Sequence, residues 1–292
     1  MTVQSGKIGG LAKLLDVEQI ENDFYRGMAT PGGAGRMFGG QALGQSVMAA
    51  MRTVPDDRIL HSLHAYFIRA GDATAPVLYQ INRDRDGRSF NTRRVVALQN
   101  GKPILNLSCS FQVEESGLSH HPDMPDDFPQ PDDLPSEAEL NERHADKLPE
   151  RLRHYLMVNR PVELRPCILR APYDHTPRPP RYGMWFRAKE PLPDDANTHR
   201  AALAFASDMG LLAVSMMPHG KGFSDADMQC ASLDHALWLH GDLRMDDWLL
   251  YATDSPWAGG ARGFARGQIF TRDGRLVAET AQEGLIRQVT PR

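Results

Sequence analysis

The sequence predicts an α+β fold made of two tandem units, in each of which an antiparallel sheet wraps around one central helix. An internal repeat is the first observation that predicts it. Residues 60–71 align with residues 230–241, serine on serine, leucine on leucine and glycine on glycine. The second observation is that, in each half, one segment of small or apolar residues precedes several alternating apolar runs. That order is typical of a helix followed by strands.

The first unit is predicted over residues 1–113. A short segment beginning at Asp23 is expected to add a strand to the sheet. The helix is predicted at residues 39–52, where small side chains permit close backbone approach. Alternating runs then predict strands, and Asn100 followed by Gly101 predicts a tight hairpin between two of them.

An acidic, proline-rich linker with one polar helical segment is predicted over residues 114–159. The second unit is predicted over residues 160–292. Its expected elements are a short strand, an apolar helix within residues 201–217, and several strands. Asp273 and Gly274 predict a hairpin between the last two strands.

Composition indicates an ordinary globular chain. With 292 residues, of which 41% are hydrophobic and 24% charged, it can bury the cores of two domains. The net charge of −4 argues against a general partner for nucleic acid or anionic membranes. Three scattered cysteines fit a reducing compartment. The apolar run near residue 210 is interrupted by Asp208 and ended by Pro218, so we expect no membrane span and a cytoplasmic location.

Asp208 is the most informative residue, because it is the one ionisable group in the apolar run at 201–217. A helix that is apolar on every face is a buried helix. A carboxylate buried there without a partner costs several kcal/mol or has a raised pKa, which suggests a functional role. Two structural alternatives stay open: Asp208 caps a helix that starts at Met209, or it bonds an arginine at a partly wet surface.

Six short motifs occur along the chain in a recognisable order. They are Phe38-Gly-Gly-Gln-Ala, Leu60-His-Ser-Leu-His-Ala-Tyr-Phe, Asn100-Gly-Lys-Pro-Ile, the Asp208 helix with Pro218-His-Gly, Ala231-Ser-Leu-Asp-His-Ala-Leu-Trp and Ala281-Gln-Glu-Gly-Leu. These motifs span nearly the whole chain. In them the chain resembles the acyl-CoA thioesterase II family, the double hot-dog thioesterases. The resemblance implies a tandem hot-dog fold and hydrolysis of fatty acyl-CoA to free acid and CoA, without a cofactor or a metal.

The resemblance also implies that Asp208, Ser232 and Gln282 hold the attacking water. Some relatives have threonine where this chain has Ser232, and serine keeps the hydroxyl. Leu239-His-Gly-Asp-Leu departs from the aromatic-His-Arg-Pro order that is usual in this family after the tryptophan strand, at a place that lines the substrate channel in the family. A desolvated carboxylate is a better general base near neutral pH than a free one, and a thiolate leaves readily, so no covalent nucleophile is required.

Arginines suit the phosphates of CoA, because the guanidinium group matches their geometry. The candidates are Arg93, Arg94, Arg262 and Arg266. Tyr66 and Phe67 are expected to form part of an acyl-channel wall. The first-half helix offers Gly44, Gln45 and Ser46 but no carboxylate, and Cys109 lies roughly opposite Gln282, so we expect one active centre per chain.

Two other functions stay open. A hot-dog hydratase or dehydratase would need a His/Asp acid-base pair, and a non-catalytic acyl-CoA-binding protein would release no thiol. His61 and His64 point to opposite faces of a strand, as do His235 and His240, so we expect these histidines to be structural hydrogen-bonding groups and not metal ligands. The absence of a Gly-x-Ser-x-Gly motif disfavours a serine hydrolase. Monomer, dimer and tetramer all stay open as assemblies of this chain.

Overall fold

The computed structural model describes residues 10–30, 35–147, 160–171, 173–174, 176–223 and 225–289. In the first half, two short strands and one long helix precede four long strands. These elements are α1 (Leu11–Leu15), β1 (Val17–Glu21), β2 (Phe24–Gly27), α2 (Gly39–Met51), β3 (Ile59–Phe67), β4 (Val77–Asp86), β5 (Phe90–Gln99) and β6 (Lys102–Gln112).

The second half repeats the order of two strands, one long helix and several strands, with a 3-10 helix added after the long helix. Its elements are β7 (Val162–Pro166), β8 (Arg181–Ala188), α4 (Ala196–Ser207), the 3-10 helix Leu212–His219, β9 (Met228–Ser232), β10 (Asp234–Leu239), β11 (Leu249–Gly259), β12 (Arg262–Thr271) and β13 (Leu276–Gln288). Between the halves, α3 (Glu137–Arg143) is preceded by its N-cap residue Ser136, whose hydroxyl accepts from the backbone of Glu139 in a capping box.

All strands in the described parts of the chain join one antiparallel sheet. Its order is β1-β2-β4-β5-β6-β3-β10-β13-β12-β11-β8-β7, with β9 paired to β13 outside that path. The two halves meet where β3 pairs with β10, and there Leu63 lies directly opposite Leu237. The predicted hairpin at Asn100 and Gly101 joins β5 to β6, and both residues have positive φ, as the tight turn requires.

The two long helices pack against each other inside the curved sheet. Small residues make this contact close, as the Gly- and Ala-rich sequence of α2 predicts. A Cβ atom at Gly40 would lie 2.2 Å from the carbonyl oxygen of Phe205, and one at Gly44 would lie 3.0 Å from that of Ala201. The predicted α+β fold, an antiparallel sheet around a central helix in each half, is confirmed.

The linker covers the outer face of the second half of the sheet. Trp185 lies at 0% exposure in an apolar cluster with Trp248 and Phe270, and its indole nitrogen donates to the carbonyl of Pro129 at 2.8 Å. Phe128 fills the notch left by Gly183, where a Cβ atom would lie 2.5 Å from its ring. This outer face is therefore packed, although the linker composition is polar and proline-rich.

The segment Ala196–His219 is long and apolar enough to cross a membrane, with a mean hydropathy of 1.4 over its most apolar window. In the fold, however, 78% of that window is buried. Burial of this kind is what the core helix of a folded domain shows, and the packing of α4 against α2 accounts for its apolar composition.

Candidate functional site

Asp208 lies at the carboxyl end of α4, where the predicted long helix is broken. The α-helix ends at Ser207, Gly210 takes a left-handed φ of 76°, and the chain resumes as a 3-10 helix at Leu212. Asp208 is therefore neither in the middle of a helix, as we predicted, nor the cap of a helix that starts at Met209. Its carboxylate contacts Gln282 of β13 and so faces the sheet.

The three side chains that were predicted to hold the attacking water lie together. The carboxylate oxygen Oδ1 of Asp208 accepts a hydrogen bond from Nε2 of Gln282 at 2.7 Å and one from Oγ of Ser232 at 3.3 Å. Ser232 is the last residue of β9 and pairs with Gly284 of β13. Gln282 lies on β13 two residues before Gly284. The geometry thus gathers a carboxylate, a hydroxyl and a carboxamide around one point.

Burial raises the pKa of Asp208 to about 6, because taking a carboxylate out of water disfavours its charged form. Hydrogen bonds from Gln282, from Ser232 and from the backbone N–H of Gly40 act in the opposite direction. The carboxyl end of α4 also disfavours a negative charge, whereas the amino end of α2, at Gly40, favours one. The result is a carboxylate that is ionised at neutral pH and still basic.

The first half of the chain contributes backbone to this site. Gly39 begins α2, and a Cβ atom there would lie 2.7 Å from Oδ2 of Asp208 and 2.8 Å from the ring of Phe67. Glycine is therefore required for close approach of the helix end to the carboxylate. Phe67, predicted as a channel wall, borders the site through this contact.

Tyr66 does not share that wall. Consecutive residues of a strand face opposite sides of the sheet, and Tyr66 is 66% exposed on the outer side, opposite Asp234 of β10. The prediction that Tyr66 and Phe67 form one channel wall is therefore wrong for Tyr66. The sequence showed two adjacent aromatic residues, and their opposite directions follow from the period of the strand.

The four candidate arginines divide into one buried side chain and three exposed ones. Arg93 is 0% exposed and donates to Thr53, to the backbone of Arg85 and to Asp86, so it cannot reach a phosphate, and that prediction is wrong. The exposed three each pair with a carboxylate. The pairs are Arg94 with Asp84, Arg262 with Glu283 and Arg266 with Asp254. Their contact with CoA stays a prediction.

His235 lies beside the site, although from the sequence we expected it to be a structural hydrogen-bonding group. Its ring is 1% exposed, and it contacts Gln282 through Nδ1 at 3.2 Å and Ser207 through Nε2 at 2.9 Å. A signal was present in β10, where His235 occupies the inward row otherwise filled by Leu237 and Leu239. Within the described parts of the chain, no group of three His, Cys, Asp or Glu residues is placed to hold a metal ion.

Comparison with known proteins identifies the family of this chain. A family model described as "Acyl-CoA thioesterase N-terminal domain" matches residues 29–112, and one described as "Acyl-CoA thioesterase" matches residues 152–285. The chain is 38% identical to Acyl-CoA thioesterase 2 of Haemophilus influenzae over 280 residues, which covers 96% of this chain and 98% of that protein. The chain belongs to the acyl-CoA thioesterase family.

Solved structures give the same result. The acyl-CoA thioesterase II TesB2 from Mycobacterium marinum superposes with a TM-score of 0.76 at 38% identity, and the match covers 97% of this chain and 98% of that one. A protein of unknown function from Alicyclobacillus acidocaldarius, described as having a hot dog fold, gives a TM-score of 0.76 at 17% identity over 96% of this chain and 98% of that chain. The fold of this thioesterase family member is a double hot-dog fold.

Proposed function

We propose that this chain hydrolyses fatty acyl-CoA thioesters to free acid and CoA, with water activated by Asp208 as the attacking group. The observation that carries the proposal is the buried carboxylate of Asp208, whose pKa is raised to about 6 and whose Oδ1 accepts from Gln282 and Ser232. Membership of the acyl-CoA thioesterase family supports the reaction class.

In the proposed step, a water molecule bonded to Asp208 attacks the thioester carbonyl carbon while the carboxylate accepts its proton. The C–S bond then breaks, and the proton passes to the departing sulfur, so that acid and CoA thiol leave and Asp208 is ionised again. Proton transfer to a positioned base is worth roughly 10²–10⁴-fold in rate. Gln282 and Ser232 orient the groups at this point because both can donate and accept hydrogen bonds.

Two alternatives make different predictions. If Ser232 attacked directly, a covalent acyl-serine would form, and a rapid-quench experiment with radiolabelled acyl-CoA would retain label on the denatured protein. A hydratase or dehydratase would change the absorbance of an enoyl-CoA without thiol release. We expect thiol release without retained label, because a thiolate leaves readily and an activated water can attack the carbonyl carbon without a covalent nucleophile.

The central test replaces Asp208 by asparagine. Asp208→Asn keeps the size and an acceptor for Gln282 but removes the base, so kcat for thiol release should fall by about 10²–10⁴-fold while the protein stays folded. Asp254→Asn is the matched control, since Asp254 of β11 is a half-exposed carboxylate paired with Arg266 of β12. Near-normal turnover in folded Asp208→Asn would remove Asp208 as the base.

A further inference from the structure

His235 connects the end of α4 to the carboxamide of Gln282. Its Nε2 lies 2.9 Å from Oγ of Ser207, the last residue of α4, and its Nδ1 lies 3.2 Å from Nε2 of Gln282. The ring is 1% exposed, and Gln282 is equally buried. These side chains form a continuous polar row between the helix and Asp208, inside an otherwise apolar core.

The hydrogen-bond network assigns the tautomer of this histidine. The hydroxyl of Ser207 donates its single proton to the carbonyl of Ala204 at 3.0 Å, so toward His235 it can only accept. Nε2 of His235 must then carry the ring proton, and Nδ1 presents a lone pair. Burial lowers the pKa of His235 to about 3, which keeps the ring neutral and this arrangement fixed over the neutral pH range.

A lone pair on Nδ1 decides which way the carboxamide of Gln282 faces. Nδ1 accepts one hydrogen of Nε2, and the second hydrogen of the same nitrogen points to Oδ1 of Asp208 at 2.7 Å. Turning the amide over would set its carbonyl oxygen against the lone pair of Nδ1 and against the carboxylate. Both contacts would then be repulsive, so one orientation is strongly favoured.

We propose that His235, held by Ser207, is a positioning residue that fixes the carboxamide of Gln282 with its nitrogen toward Asp208. The inference rests on the proposed role of Asp208 as the base and adds a specific reason for a buried histidine in β10. His235 does not touch the reacting atoms. Its effect reaches the reaction through Gln282, which supplies a donor to the ionised carboxylate.

Of the described groups that face Asp208, none other titrates near neutral pH. Gln282 and Ser232 are not ionisable near neutral pH, and His235 stays neutral. Tyr251, whose hydroxyl donates to the carbonyl of Ser207 at 2.9 Å, has its pKa raised by burial and also stays neutral. A change in the acid limb of the pH profile therefore reports on the environment of Asp208.

The test compares His235→Leu, His235→Asn and the wild type. Leucine continues the inward row of Leu237 and Leu239 and accepts no hydrogen bond, so kcat should fall by roughly 10–100-fold, as expected for one lost buried hydrogen bond, with KM within about twofold. The acid limb of kcat should move to higher pH, because ionised Asp208 loses an aligned donor. Asparagine carries an acceptor near the position of Nδ1 and should recover part of the activity. His64→Leu, an exposed histidine on β3, is the matched control.

A double-mutant cycle separates positioning from general packing. In a Gln282→Leu background, adding His235→Leu should cost little further activity, because the group through which His235 acts is gone. Full additivity of the two losses in kcat would overturn the proposal, and so would a change in melting temperature without a change in the acid limb. If Asp208→Asn abolishes turnover while His235→Leu retains it, the positioning role fails and the proposed function stands.

Discussion

The two units share one fold but end their central helices differently. In the second unit, α4 is followed by Asp208, whose carboxylate meets Gln282 and Ser232. In the first unit, α2 is followed by Arg52, which pairs with Asp16 at 2.5 Å near the protein surface. The same helix end therefore carries the proposed base in one unit and a structural ion pair in the other.

The sheets differ in the same way at matched places. In the first unit, Leu63 of β3 lies opposite Cys109 of β6, and both are buried in the apolar core. In the second unit, the corresponding strands β10 and β13 bring together His235 and Gln282. The fold thus tolerates either an apolar or a polar pair at this point, and only the second unit combines the polar pair with a carboxylate among the described residues. The first unit contributes backbone at Gly39 and Gly40.

Separating the units should have the largest effect. A fragment of residues 114–292 keeps Asp208, Ser232 and Gln282 as well as the linker that covers its sheet, but it loses α2 and β3. We expect it to be insoluble or to show no measurable thiol release, because α4 and the free edge of β10 would be exposed. Co-expression with residues 1–113 is the control and should restore activity. A soluble, active fragment would contradict the dependence of the site on both units.

A smaller change tests the backbone contribution of the first unit. Gly39→Ala adds a methyl group whose carbon would lie 2.7 Å from Oδ2 of Asp208, so the helix end or the carboxylate must shift. We expect kcat to fall by about 10-fold or more, since displacements of about 1 Å can cost as much as 10²-fold. Gly117→Ala, which adds a methyl group with no neighbour within 4 Å, serves as the control. Equal kcat values for the two variants would restrict the site to the second unit.

The charge of Asp208 should also appear in the pH dependence of stability. Its pKa is raised from 3.8 to about 6 in the folded state, so the native protein binds more protons than the unfolded chain between these values. The resulting contribution of Asp208 to the free energy of unfolding is present below about pH 4 and is lost as the pH rises through about 6. The loss amounts to about 1–3 kcal/mol.

Melting curves of the wild type and Asp208→Asn from pH 4 to pH 8 provide the measurement. The stability difference should shift in favour of asparagine as the pH rises to 6 and then stay constant. The activity of the wild type should fall below about pH 6 as Asp208 becomes protonated. A stability difference that does not change with pH would mean that Asp208 has an ordinary pKa.

The smallest effects are expected at the exposed arginines. Arg262→Ala and Arg266→Ala, both on β12, should raise KM by about threefold and leave kcat unchanged, because rim charges act weakly and are screened by salt. Arg94→Ala is the matched variant in the first unit. If all three leave KM unchanged across ionic strengths, the CoA phosphates bind elsewhere. An equal effect at Arg94 would extend the substrate contact to both units.

The repeated fold and the candidate residues Asp208, Ser232 and Gln282 were predicted from the sequence, because a lone acid in an apolar run and the family motifs are visible there. The structure brings these three side chains together. The end of α4 at Ser207, with the left-handed Gly210 shortly after it, was not predicted, since the run stays apolar on both sides. Its residues alone do not show which way the chain turns.

Other predictions were wrong because they considered the residue type and not the side of the sheet that the side chain faces. Arg93 lies in the inward row of β5 with Val95 and Ala97, and that alternation would have excluded it as a phosphate ligand. The role of His235 could not be predicted, because it depends on a hydroxyl from α4 and a carboxamide from β13 that approach each other only in the folded chain.

The linker that covers the second half of the sheet determines what limited proteolysis exposes. Its segment near Phe128 and Pro129 protects a surface that contains Trp185 and Phe270. A cut between this segment and β7 would leave all catalytic candidates on one piece but would allow the cover to detach. The uncovered aromatic surface would favour self-association, so limited digestion should lead to precipitation before the site itself is cleaved.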